Sequence, residues 1–585
     1  MKLPITDYSL LTRRGFSPVE VILAGSILAL IVTAVVGALV YGREGIGVSG
    51  SRARAIFLAE EGLEVVRNLR DETFGNLVDG PHGIATSGSQ WVFLGVQDAT
   101  DIFTRAIQVG TIDSKTKQIT STVTWQINLQ RTGQIALSTR LTNWRAPVGA
   151  PKGGILVYGD GGTTSDSIRY RILDGVSGTW SASSTAADID VATTNRALRA
   201  VQVYASPTRN EKVMISRHYN GSNQFIYAQV FDGSSWGSVQ LLSSWAATNF
   251  LDVQNFSGTY LANGDFMVVY RDGTTTIPKF RVWNGTSWTG QISMQNIGGI
   301  PNYVVIKARL GTNEVMAAFF DQSSDTNSQY FNGGAYVLGS WTTLTEHATA
   351  APVNTKALVD FAWSPTNPLK GALIFANAAA DTTLTLKIWT ANGAGGGSWS
   401  GVVNSAAGGQ LGAMAIDGRV GAEEFLACEK DVANDIRCFR GNVTPAWATP
   451  TNNILTTTSH TGIQRSFDLA YEAVSGNLGL AVYSDNTVTP KYRKYNPITN
   501  AFDAAASSIT VSGGGVLTTV RLIPQPDTDD IMILMADANN DMRSIVWDGT
   551  SDALYTTPSG KALNLHGING VANTHFWFDF AWDKF

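Results

Sequence analysis

From Gly153 to the end of the 585-residue chain one unit recurs, and no other feature restricts the fold as strongly. Its clearest form is a strand end, a tight turn and a tryptophan. It reads Leu173-Asp174-Gly175 with Trp180, Phe231-Asp232-Gly233 with Trp236, Trp283-Asn284-Gly285 with Trp288, Phe331-Asn332-Gly333 with Trp341, and Asn392-Gly393 with Trp399. Later copies read Gly441-Asn442 with Trp447, Tyr495-Asn496-Pro497 with Phe502, and Trp547-Asp548-Gly549 with Leu554. The markers stand 48 to 58 residues apart, which makes eight units. Asp-Gly and Asn-Gly supply positive φ at a hairpin turn, and the aromatic after it has the area to pack between sheets. A complete unit divides into four short strand-like runs, as at 199–205, 212–218, 224–231 and 235–242.

A second string bears on closure. Asp360-Phe361-Ala362-Trp363 and Asp468-Leu469-Ala470-Tyr471 each open a unit, and Asp579-Phe580-Ala581-Trp582 stands at the C-terminus with no unit after it. The first unit begins with Ile155-Leu156-Val157-Tyr158 and lacks such an opening strand, so the last strand is expected to complete it and remove an exposed edge. Unit size, strand content and closure resemble a β-propeller of about eight four-stranded blades. The Asp-Gly turns look somewhat like the Asp-box turns of sialidases, but Asp and Gly are adjacent here, and they read as blade punctuation. Composition agrees with a turn-rich all-β protein: 15% charged residues, 59 glycines and 10% aromatics. The net charge of -5 and the lack of a Lys/Arg block exclude an evident nucleic-acid surface.

The other end of the chain is different in kind. From Val21 to Tyr41 run twenty-one residues without a charge, enough to cross a bilayer as a helix. The run exceeds a usual signal-peptide core and no A-x-A site follows it. At its lip stands Glu20, in Arg13-Arg14-Gly15-Phe16-Ser17-Pro18-Val19-Glu20-Val21. A carboxylate there is costly and needs a reason. One reason is a helix N-terminus, where the dipole favours negative charge. The string also resembles the type IV prepilin signal: a basic leader ending in Gly, an aromatic that becomes the mature N-terminus, and Glu at the fifth mature position.

That resemblance implies cleavage between Gly15 and Phe16 by a prepilin peptidase and methylation of the new amine. It also implies pairing of Glu20 with Phe16 of a neighbouring subunit during assembly. The implied partners are other pilin subunits, a pilus or type II secretion-like assembly machine, and the membrane. After Gly45, Gly47 and Gly50, read as a break, Ile56, Phe57, Ala59, Leu63, Val66 and Leu69 stand at helical spacing. Strand-like runs follow at 91–96, 102–109, 118–128 and 134–144. A helix on a small antiparallel sheet resembles the globular head of pilins and pseudopilins. The expected order is a leader over 1–15, a membrane and polymerisation helix over 16–50, and a pilin-like domain over 51–146. A Pro/Gly linker over 147–152 and the propeller over 153–585 complete it.

Other chemistry is sparse. The six histidines are scattered with no HExxH, and neither GxSxG nor a P-loop occurs. Asp537, Asn539 and Asp541 alternate as in a calcium loop, but Met542 stands where a Gly is wanted, and a hairpin turn is the reading. No metal or cofactor is expected. Asp360, Asp468 and Asp579 are read as bonding the backbone of adjacent blades. Cys428 and Cys438 flank a turn near Ala433, so a hairpin sets them opposite each other and a disulfide is expected outside the cytoplasm. The functional expectation is a minor pilin or pseudopilin, not an enzyme, that displays its propeller for adhesion or recognition of a surface, glycan or protein, at a filament tip. It starts in the inner or cytoplasmic membrane and ends on a cell-surface filament. The alternatives are an anchored extracellular glycan hydrolase or lyase and a structural pseudopilin of a secretion or DNA-uptake system.

Overall fold

Apolar residues and good helix formers continue from Pro18 to Glu72, and the chain makes them one α-helix, α1, of 55 residues and roughly 80 Å. The structure, a computed structural model, describes residues 17–72, 76–88, 90–113, 116–128, 130–142, 152–160, 168–187, 189, 196–246, 254–349, 357–462, 465–511, 514–555, 563–565 and 576–584. The break expected at Gly45, Gly47 and Gly50 is absent. An isolated glycine costs a helix about 1 kcal/mol, too little to interrupt one anchored beyond it by tertiary packing.

The chain separates into two compact units, Met1–Pro147 and Val148–Phe585. In the first, α1 changes character along its length. Large apolar side chains from Val19 to Tyr41 are each more than half exposed, and this part is long and apolar enough to cross a membrane. Beyond Gly50, Ala55, Ala59, Leu63, Val66 and Leu69 form a stripe buried on an antiparallel sheet. Phe57, expected on that stripe, is 69% exposed. It lies two residues from Ala55 and Ala59, about 200° round the helix from each, and so faces outward. The sheet orders Gly80–His82, Phe103–Asp113, Thr116–Asn128 and Arg131–Thr142, with Asp98–Thr100 paired to the second of these; Ile84–Ser87 and Gln90–Phe93 make a separate hairpin. Gly62 brings helix and sheet together, since a Cβ there would stand 2.6 Å from Ser121 Oγ. Arg105, 5% exposed, donates 2.8 Å bonds to Glu61, to Asp98 and to the Leu58 carbonyl, tying helix to sheet.

The second unit is a β-propeller. Eight four- or five-stranded antiparallel sheets follow one another among the described residues. The innermost strands of blades 2 to 8 are Ala197–Ala205, Phe256–Tyr260, Pro301–Ala308, Val359–Trp363, Leu411–Gly418, Phe467–Tyr471 and Leu517–Pro524. Blade 1 takes its innermost strand from the far end of the chain: Phe578–Trp582 pairs with Gly154–Gly159, Phe578 opposite Tyr158 and Trp582 opposite Gly154. Each innermost strand neighbours the next, and Phe578–Trp582 touches those of both blade 2 and blade 8, so the ring closes.

The core sits in the seams. One buried cluster joins blades 8, 1 and 2, another blades 4, 5 and 6, and four more fill the remaining seams. The repeated turn closes the hairpin at each blade's outer edge. Its tryptophan bridges back to the strand end, as Phe231 to Trp236 and Trp283 to Trp288. Asp232 Oδ1 accepts from the backbone N–H of Ser234 and Ser235, both at 2.8 Å, and Gly233 has φ 97°. This is an Asx turn. Those bonds, led by Ser235, hold the exposed Asp232 carboxyl down at about 2.

Candidate functional site

The central channel is where the blades' innermost strands bring their side chains together. In an innermost strand the backbone facing the next blade has N–H groups without a sheet partner, and each must find an acceptor. Asp579 Oδ2 accepts from Val203 at 2.9 Å, Asp360 Oδ2 from Ile416 at 3.2 Å, Asp417 Oδ2 from Tyr471 at 2.8 Å and Asp468 Oδ2 from Leu522 at 2.9 Å. In blades 2 and 3 hydroxyls do the same work: Tyr204 Oη accepts from Gly258, Ser257 Oγ from Ile306 and Thr259 Oγ1 from Ala308. Asp360, Asp468 and Asp579 thus clip neighbouring blades. Asp417, the fourth of the set, was not singled out in the sequence; its place as the seventh residue of Leu411–Gly418 shows only once the strand is aligned with its neighbours.

Burial pushes the Asp360 and Asp579 carboxyls up, and Asp417 to about 6. Two guanidiniums answer this negative charge, Arg465 at 3.1 Å from Asp468 and Arg521 at 3.1 Å from Asp579. Phe576 lies under both, with ring-centre distances of 5.4 and 4.9 Å. The channel holds a cavity of about 310 Å³ lined by Gln202, Tyr204, Gln254, Tyr303, Lys307, Arg465, Arg521, Phe576 and Lys584 among others. A second, of about 320 Å³, shares Tyr204, Thr259, Lys307, Arg521 and Lys584 with it. Desolvation lowers the Lys584 pKa and the Lys307 ammonium adds to the effect.

Glu20 stands at the start of α1. Its carboxylate accepts from the Ser17 backbone N–H at 2.9 Å, while Ser17 Oγ accepts from Val19 N–H at 3.3 Å. With Pro18 opening the helix, Ser17-Pro18-Val19-Glu20 makes a capping box. The S-x-x-E spacing is its sequence signature. Gly15, Phe16 and most of the 147–152 linker lie outside the described residues.

Cys428 and Cys438 are directly opposed on the second and third strands of blade 6, fully buried, and joined as a disulfide. In the calcium-like loop, Asp537 Oδ1 accepts from Asn539 and Asp541 N–H, while Oδ2 takes Gly515 N–H and Arg543. The carboxylate serves the turn. Among the described residues no three His, Cys, Asp or Glu side chains are grouped to hold a metal ion. Two histidines contact serines inside the blades: His347 Nε2 lies 2.8 Å from Ser328 Oγ, and His218 Nε2 2.9 Å from Ser216 Oγ. Burial pushes both imidazoles down to about 3, keeping them neutral, and both serines are at most 2% exposed.

No family model matches the chain, and no curated protein matches it. Among solved structures it is similar to a lectin from Burkholderia pseudomallei, at 11% identity and a TM-score of 0.43 over 63% of this chain and 99% of that one. A putative 6-phosphogluconolactonase from Bacteroides uniformis aligns at 12% identity and a TM-score of 0.40, over 73% of this chain and 99% of that one. The β-propeller domain of the Trilobed protease from Pyrococcus furiosus aligns at 7% and 0.34, over 63% and 99%. These likenesses concern the fold alone. They also correct one expectation. Prolyl endopeptidases, lactonases and a dihydro-heme d1 dehydrogenase stand among the similar structures, so the reading that this chain is not an enzyme does not hold as a consequence of its architecture.

Proposed function

We propose that the chain is a type IV pilin-like subunit that anchors through α1 and displays its propeller outside the cell for recognition. One observation carries the reading: a single helix whose first half offers an unbroken exposed apolar surface headed by Glu20, and whose second half packs on a small antiparallel sheet. A helix built only to fill a soluble core does not expose every large apolar side chain over its first half. Prepilin peptidase is the proposed processing enzyme, with Gly15 and Phe16 as the cleavage pair. Other pilin subunits and their assembly machine are the proposed partners, and the membrane holds the helix before assembly. In a filament Glu20 exchanges its local bond to Ser17 for the Phe16 amine of a neighbour, an attraction strengthened by the apolar surroundings.

Mass spectrometry of filaments sheared from cells tests this. Mature protein beginning at a methylated Phe16 is expected, and Glu20→Ala is expected to be lost from filaments while its propeller melts as before. An intact Met1 in surface filaments, or normal incorporation of the variant, would overturn the reading.

A further inference from the structure

The channel's charges are not all answered in kind. Each aspartate at the innermost strands has its oxygens committed: Asp360 to the N–H groups of Phe361 and Ile416, Asp417 to those of Gly418 and Tyr471, and Asp579 to Val203 and Arg521. Asp360 lines the first cavity and Asp579 the second, each with its oxygens held by these donors. The ammoniums of Lys307 and Lys584 are left without an ion pair or hydrogen bond among the described residues, although Lys307 feels the carboxylates of Asp360, Asp417 and Asp579 from three different blades. The two lysines also repel each other. Both line both cavities, together with Arg521.

Both lysines are exposed residues, so water screens their mutual repulsion, and an anion set beside both is attracted by both at once. Besides Asp360 and Arg465, the first cavity's wall carries uncharged hydrogen-bonding groups in Gln202, Gln254 and Thr259, and an aromatic face in Tyr204. We propose that the central channel binds a small hydroxylated anion, a sugar acid or sugar phosphate, with its oxyanion between Lys307 and Lys584 beside Arg521 and its hydroxyls on the amides. The volume of about 310 Å³ falls at the lower end of small-molecule sites. The proposal stands apart from filament assembly, since no residue of α1 takes part.

Calorimetric titration of the full chain in detergent micelles tests it, using glucuronate, glucose 6-phosphate and neutral glucose at low salt. At least one of the two anions is expected to bind, and glucose at the same concentration is not. Raised salt weakens the binding. The Lys307→Gln/Lys584→Gln double variant is expected to lose about tenfold or more in affinity while keeping a single cooperative melting transition. If only the uronate or only the phosphate ester binds, the oxyanion is assigned accordingly. No heat from either anion at millimolar concentration, equal binding of glucose, or undiminished affinity in the double variant would overturn the proposal.

Discussion

Asp468 shows how much one side chain can carry here. Its Oδ2 satisfies Leu522 N–H in the next blade, its Oδ1 takes Leu469 N–H at 3.0 Å, and Arg465 stands 3.1 Å away. Asp468→Ala leaves a buried donor and a largely buried guanidinium without their acceptor, and a loss of about 2–4 kcal/mol is expected in denaturant melts. Asp468→Asn, which keeps an acceptor but drops the charge, is expected to lose less. Glu429 in blade 6 behaves in the opposite sense. It is 2% exposed, and burial pushes its carboxyl up to about 8 although Arg437 opposes this; Asp431 adds to the rise. An unfolded glutamate titrates near roughly 4.3. Between those values the folded state keeps a proton that the unfolded state releases, so this contribution is complete at acid pH and is lost as pH rises towards 8. Glu429→Gln is expected to match the parent below about pH 4 and to exceed it increasingly above that, by about 1–3 kcal/mol or more near pH 8. Parallel stability curves for the two proteins would refute that assignment.

Elements answer for closure and for the cross-link. The strand Phe578–Trp582 contributes Phe578, Phe580 and Trp582 to the cluster that joins blades 8, 1 and 2, and Trp582 Nε1 donates to the Ile523 carbonyl of blade 8 at 2.8 Å. Deleting residues 572–585 opens the edge of Gly154–Gly159 and removes those rings together. Each large buried ring costs about 3–5 kcal/mol to remove, so the loss is comparable with the whole margin of a domain. The truncated chain is expected to lose its cooperative propeller transition or to melt far lower, and calorimetry on full-length and truncated chains reads the difference. The Cys428–Cys438 bridge closes a loop of ten residues in sequence separation within one hairpin. A double Cys→Ser variant is expected to lose about 2–3 kcal/mol. Alkylation of denatured, unreduced protein should find no free thiol.

For the whole molecule, bulk sets the expected place of action. The propeller unit spans Val148–Phe585 and the unit bearing α1 spans Met1–Pro147, so under the proposed assembly each copy would bring a second unit about three times as long in sequence as the first. A shaft made only of such subunits crowds propellers side by side. The protein is therefore expected at low copy number, at a filament tip or as sparse decoration. Immunogold labelling on filaments reads this directly, and continuous labelling along every shaft would remove the tip assignment. A strain lacking residues 153–585 is expected to assemble the shortened subunit while losing adhesion.

Local chemistry was written plainly in the chain. The Asx-Gly turns with their tryptophans mark five blade edges and degenerate copies mark three more, the alternation within each unit marks the strands, and the displaced Asp579-Phe580-Ala581-Trp582 string matches the innermost strands of blades 5 and 7. All of these act over a few residues, where side-chain type dictates backbone geometry. The long apolar run from Val21 to Tyr41 announced a helix for the same reason. What tertiary structure decided lies where distant segments meet. The helix runs on through Gly45, Gly47 and Gly50 because packing beyond them outweighs their propensity, and Phe57 turns outward because the sheet chooses which stripe of the helix it covers. Glu20 closes a capping box, a pattern local enough for the S-x-x-E spacing to encode it. Asp417 became a seam clip, and Lys307 met Lys584 across 277 residues of sequence, only through ring closure. Closure sets which charges face the channel, and no spacing within a single blade encodes that.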